Sequence, residues 1–154
     1  MAAAKHPELL LLDEPVAALD PLARRAFLQG LMELTAEHGM SILMSSHLVA
    51  DLERVCDHLI VLVGSRVRVA GDVEELLASH HRLVGPRRSA ESLGGGRDVI
   101  EASHTDRQST LVVRSTAPID DPSWQVDRLS LEDLVLTYMG AAAPAGSRVL
   151  EGQR

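Results

Sequence analysis

Leu9-Leu10-Leu11-Leu12-Asp13-Glu14-Pro15 is an unbroken apolar run that ends in two adjacent carboxylates. Four leucines with no polar alternation predict a strand buried on both faces of a parallel sheet. The carboxyl end of such a strand is where open α/β sheets bind their ligands. Asp13 and Glu14 are therefore candidate chemical groups, set against the plainer reading of a strand leaving the sheet through a solvated acidic turn.

The residues on either side extend this into a βα pattern. Asp20 stands where a helix N-cap belongs and Pro21 at the first helical position, while Phe27, Leu31 and Leu34 recur at helical spacing until Gly39. Residues 41–45 then read as a second buried strand, parallel to the first because a helix crosses between them, and a helix follows over 48–56. Residues 59–63 and 67–69 predict a hairpin about Gly64-Ser65, with Gly71-Asp72 leading into a further helix.

Beyond residue 79 the composition changes. Pro86, Arg87-Arg88 and Gly94-Gly95-Gly96 mark residues 80–98 as a linker. Short strands are expected over 99–102, 110–113 and 124–126, then a helix over 131–139 capped by Ser130. Residues 141–154, rich in Ala, Gly and Pro, read as a disordered tail.

Composition narrows the function. The chain has 154 residues, 45% hydrophobic and 24% charged, with a formal charge of -7 and only 2% aromatics. Such a chain lacks both the basic face that neutralises phosphodiesters and the rings that stack bases, so nucleic acid is excluded as a partner. The single cysteine, Cys56, rules out an internal disulfide and reads as a small buried helix residue in a reducing compartment. No signal peptide is visible, and runs such as 59–63 are too short to span a bilayer, so no direct membrane insertion is expected.

Two parallel strands place Asp13, Glu14 and His47 on one carboxyl edge. That edge suits phosphoryl chemistry. Asp13 can orient Mg²⁺ directly or through water, Glu14 can accept a proton from an attacking water, and His47 can hydrogen-bond a terminal phosphate. Taken alone, His47 reads as a structural donor at a strand end.

These segments resemble the ATP-binding subunits of ABC transporters. Residues 9–15 resemble the Walker B strand, Val16-Ala17-Ala18-Leu19-Asp20 the D-loop and Ser45-Ser46-His47 the switch-histidine segment, in the family's order and spacing. The likeness extends over residues 7–77. It implies Asp13 as the magnesium carboxylate, Glu14 as the catalytic base, Asp20 as a contact across a nucleotide-sandwich dimer and His47 as the γ-phosphate sensor. It also implies ATP and Mg²⁺ as cofactors, a membrane permease and a second ATPase domain as partners, and a cytoplasmic location on the inner face of the membrane. The strands and helix near Ser130-Leu131-Glu132-Asp133-Leu134 resemble the small carboxyl-terminal extension of bacterial drug-efflux ATPases, which implies export.

The resemblance has gaps. Lys5 is the only lysine and no Gly-Lys pair occurs, so the phosphate-binding loop is absent from these residues, as is a signature segment ahead of Leu9. Ser92-Leu93-Gly94-Gly95-Gly96 lies downstream of the histidine and reads as a flexible loop. The expected fold class is therefore α/β: the carboxyl-terminal part of a P-loop NTPase parallel sheet with flanking helices, plus a small α+β extension. Residues 1–79 form the partial ATPase domain, 80–98 the linker, 99–140 the extension and 141–154 the tail. The isolated chain is expected to be inactive.

Other clusters have plain readings. His80-His81 and His104 read as surface histidines, Arg24-Arg25 and Arg87-Arg88 as solvated charges, and Leu131, Leu134, Val135, Tyr138 and Met139 as an apolar helical face. A noncatalytic regulatory module derived from such an ATPase is the alternative function. A DNA-repair or chromosome ATPase is disfavoured by the acidic charge and the absence of a long coiled coil.

Overall fold

In the computed structural model the described residues are 7–88 and 97–141. The chain divides between Cys56 and Asp57 into two compact units rather than at the expected 79/80 boundary. The fold is α/β in the first unit and α+β in the second.

In the first unit, β1 (Leu9–Leu12) and β2 (Ser41–Met44) pair in parallel, from Leu9 opposite Ser41 to Leu12 opposite Met44. The crossover between them contains α1 (Pro21–His38), which begins and ends where its capping residues dictate. Asp20 Oδ1 accepts hydrogen bonds from the Leu22 and Ala23 amides at 3.0 and 3.1 Å. At the other end Gly39 adopts φ +62° and its N–H donates to Thr35 O at 2.9 Å, the left-handed cap that glycine permits. Leu28 and Leu31 are buried on α1, with Val16 and Met40 beside its connections.

Two expectations for this unit are corrected. The sheet is not buried on both faces: Leu10, Leu12, Ile42 and Met44 are half-buried, whereas Leu9, Leu11 and Leu43 are 53, 65 and 54% exposed. The reason is that β1 and β2 form a two-stranded sheet. The helix after His47 is only α2 (Val49–Leu52), because the Val55 and Cys56 amides both converge on Leu52 O and turn the chain. Cys56 therefore lies outside any helix and is half-buried.

The second unit starts with the expected hairpin. β3 (His58–Val63) and β4 (Arg66–Asp72) are antiparallel around Gly64 and Ser65, at φ 57° and 62°. Two consecutive left-handed residues match the twist of a tight hairpin. Leu59, Val61 and Val69 are buried, while Ile60, Leu62 and Val67 face outward. Asp72 caps α3 (Val73–Ser79) by accepting from the Glu75 amide at 3.0 Å.

The linker expected over 80–98 is corrected in its first part. β5 (His80–Pro86) follows α3 directly and lies inside a four-stranded sheet, between β7 (Gln108–Arg114) and β8 (Gln125–Arg128), with β6 (Asp98–His104) on the far side of β7. His80 and Leu83 are both buried on this strand, and their odd spacing sends them to opposite faces, His80 toward Tyr138 of the last helix and Leu83 into the sheet's hydrophobic cluster. Leu83, Leu111, Val113 and Trp124 form the core, with Val99 and Ile119 packed against it. Gly85 permits close packing, since a Cβ there would stand 2.7 Å from Trp124 Cε3 and 2.8 Å from Ser123 O.

The last helix is α4 (Leu131–Ala141), and Ser130 is its N-cap, with Oγ accepting from the Asp133 amide at 3.1 Å. Its inner side buries Leu131, Leu134, Val135, Thr137 and Tyr138. The glycine-rich segment 92–96 and the tail beyond residue 141 lie outside the described residues.

Candidate functional site

The carboxyl edge of the parallel pair brings together three of the four candidate residues. Register sets the juxtaposition: Leu12 opposite Met44 makes Asp13 and Ser45 the first residues beyond the sheet, and the Ser45 amide extends the ladder to Leu12 O at 2.9 Å. Ser45 Oγ donates to Asp13 Oδ1 at 2.6 Å and accepts from the Glu14 amide at 2.8 Å. One hydroxyl thus orients one carboxylate and holds the backbone of the next residue.

Glu14 has φ 44°, a conformation that an L side chain adopts at a cost and that clusters at functional sites. The turn that follows, with Ala17 N bonded to Glu14 O and Leu19 N to Val16 O, is anchored by Val16 at 1% exposure. This turn directs the Glu14 side chain toward β2, where Oε2 lies 2.7 Å from His47 Nδ1. A carboxylate on Nδ1 makes that nitrogen the donor and leaves Nε2 available for another partner.

The Glu14 and His47 side chains are 39 and 62% exposed, so the pair is oriented but solvated. A contact of this kind contributes little to stability, which leaves positioning as its visible consequence. Asp13 is exposed at the same edge. Mg²⁺ commonly takes one or two protein carboxylates and completes its shell with phosphate oxygens and water. Asp13 fits that requirement. Among the described residues no cluster of three His, Cys, Asp or Glu side chains forms a cage for a metal by itself.

Asp20 is not part of this cluster. Its Oδ1 is engaged at the start of α1, so the role visible in the structure is that of an N-cap. Ser45, which from sequence was the end of a strand and the start of the segment carrying His47 with no role of its own, is the residue that joins Asp13 to Glu14. The signal was its position: a hydroxyl residue leaving the strand beside the one that carries the carboxylates.

Two secondary readings are corrected. His80 is not a surface residue: it is fully buried, with Nδ1 2.7 Å from Leu76 O and Nε2 2.8 Å from Tyr138 Oη. Arg24 is half-buried and lies 3.5 Å from Asp51. Arg88 is exposed, in keeping with its reading as a solvated charge, and it bonds Ser123 Oγ at 3.1 Å and pairs with Asp121 at 3.8 Å. The Ser123 hydroxyl and amide bonds hold the Asp121 carboxyl below the usual carboxylate range, with Arg88 adding to the effect.

The chain is 40% identical over 73 residues to the energy-coupling factor transporter ATP-binding protein EcfA2 of Enterococcus faecalis, covering 47% of this chain and 25% of that protein. It is 44% identical over 71 residues to the ABC-type transporter ATP-binding protein EcsA of Bacillus subtilis, covering 46% and 28% respectively. A longer similarity, 29% over 148 residues, relates 96% of the chain to 34% of the molybdenum import ATP-binding protein ModC of Aromatoleum aromaticum. A solved structure of an ATP-binding subunit of an ABC transporter is 36% identical, with a TM-score of 0.44 over 48% of this chain and 30% of that one. No protein-family model matches. The relatives named here are ATP-binding proteins of transporters, and about half of this chain is similar to a part of them at 40% identity or more. The chain spans about a quarter to a third of the length of the curated relatives it matches.

Proposed function

We propose that the chain is part of the ATP-hydrolysing subunit of a bacterial ABC-type transporter that acts through a separate membrane permease. The observation that carries this reading is the 2.7 Å contact between Glu14 Oε2 and His47 Nδ1 beside Asp13, at the carboxyl edge of parallel strands. The similarity to ABC transporter ATP-binding proteins supports it.

Within this proposal Asp13 would hold Mg²⁺, which would supply positive charge to offset that of the nucleotide phosphates. Ser45 restricts the rotation of the Asp13 carboxylate. Glu14 accepts the proton of the attacking water, and His47 orients Glu14 through Nδ1 while Nε2 faces the terminal phosphate. The phosphate-binding loop would have to come from residues other than these 154, in which no Gly-Lys pair occurs. Asp20 is proposed to approach the partner ATPase domain in a nucleotide-sandwich dimer while its Oδ1 caps α1. The location that follows is the cytoplasmic face of the membrane, and no helix among the described residues is long and apolar enough to cross it.

Export is the direction we propose, on the sequence resemblance of the segment around Ser130-Leu131-Glu132-Asp133-Leu134 and the strands before it to the carboxyl-terminal extension of drug-efflux ATPases. Import is the second reading, favoured by relatives named for molybdenum, thiamine and methionine import. Co-purification with a permease and ATP-driven flux in oriented membrane vesicles test both points. Flux out of the cytoplasmic side supports export and flux into it supports import. Absence of any permease association or ATP dependence would leave the noncatalytic regulatory module.

A further inference from the structure

A groove of about 380 Å³ runs between α1 and α2 of the first unit, and its lining is unlike the rest of that unit. All three arginines of residues 7–56, Arg24, Arg25 and Arg54, lie along it, whereas of the acids in the same stretch only Asp51 does. Asp51 is directed at Arg24 at 3.5 Å, which leaves Arg25 and Arg54 exposed and without an ion pair among the described residues. Between the charges lie Leu28, Met32 and Val55, and Met32 is 43% exposed. A basic, apolar-floored groove between two helices matches an acidic amphipathic helix.

The chain carries such a helix. Glu132, Leu136 and Met139 on α4 are spaced at i, i+4 and i+7 and so form one stripe. Glu132 is exposed, and Leu136 and Met139 are 56 and 51% exposed, whereas the opposite side of α4 is buried in the second unit. Both complementary surfaces are thus present in one sequence. We propose that the exposed stripe of α4 docks into the α1/α2 groove of a second copy of this chain, with Glu132 between Arg25 and Arg54 and Leu136 and Met139 against Met32 and Val55. Met32 and Met139 suit such a contact because an unbranched thioether side chain adapts to its partner surface. The contact is heterologous, since the two surfaces differ.

Analytical ultracentrifugation of the 154-residue chain tests this. Association should be concentration-dependent and weaker at high salt, and a chain that stays monomeric at all concentrations would overturn the proposal. Arg25→Glu with Arg54→Glu in one variant, and Leu136→Glu with Met139→Glu in another, should each raise the dissociation constant about tenfold or more. The decisive arm is a mixture of the two variants. The first retains an intact α4 and the second an intact groove, so the mixture should recover association that neither shows alone. Recovery also demonstrates that both variants are folded. With thermal melts like that of the unaltered chain, failure to recover, or undiminished self-association of either variant, would overturn the assignment.

Discussion

His80 Nε2 lies 2.8 Å from Tyr138 Oη in the buried interior of the second unit, tying the first residue of β5 to the inner side of α4. With His80 Nδ1 against Leu76 O at 2.7 Å, the neutral ring donates from Nδ1 and accepts the tyrosine hydroxyl at Nε2. Burial pushes the His80 pKa down from its ordinary 6.5, against the Leu76 bond that favours the protonated ring. The unfolded chain therefore binds a proton that the folded chain resists. This contribution to stability is full above pH 6.5 and is lost as pH falls toward the depressed folded value. Urea midpoints measured across this range should fall on acidification, and a His80→Gln variant should show a smaller fall.

Tyr138→Phe removes the hydroxyl and leaves Nε2 buried without its donor. The expected cost is about 1–3 kcal/mol, read from urea unfolding at neutral pH. An unchanged midpoint would show that the bond contributes nothing.

Gly85→Ala should destabilise the second unit by about 1–3 kcal/mol, because the new methyl would meet both the Trp124 ring and the Ser123 carbonyl. Since Ser123 O is backbone, side-chain rearrangement alone cannot relieve the contact. A thermal melt compared with the unaltered chain measures the effect.

Asp20→Ala should cost about 1 kcal/mol through loss of the α1 cap, whereas Asp20→Asn retains an oxygen acceptor and should cost less. In a protein that joins this chain to a phosphate-binding loop, any loss of ATP turnover in the Asn variant beyond its stability change would belong to the proposed dimer contact.

Much of this arrangement was legible from local chemistry. Asp20, Pro21 and Gly39 delimit α1 because capping and left-handed backbone are properties of single residues, and Gly64-Ser65 defines its hairpin for the same reason. The edge carrying Asp13, Glu14 and His47 followed from a parallel crossover. What was not legible depends on partners distant in sequence. β5 was hidden by Pro86 and the nearby glycines, and only its pairing with β7 and β8 makes it a central strand. His80 looked superficial beside His81 because nothing local announces Tyr138, 58 residues away. Ser45 acquires its role only when register brings it beside Asp13, and the exposed leucines of β1 depend on what lies next to the strand.

The 154-residue chain on its own is expected to bind Mg-ATP weakly and turn it over negligibly, since it offers carboxylates but no Gly-Lys phosphate cradle. Robust hydrolysis by the purified chain would contradict this.

The central claim is that Glu14, held against His47, is the base of an ATPase. Its most direct test is ATP turnover by a protein in which this chain is joined to a phosphate-binding loop, comparing the unaltered sequence with Glu14→Gln. The variant should keep nucleotide binding and lose turnover by about a hundredfold or more. Undiminished hydrolysis by Glu14→Gln would contradict the account.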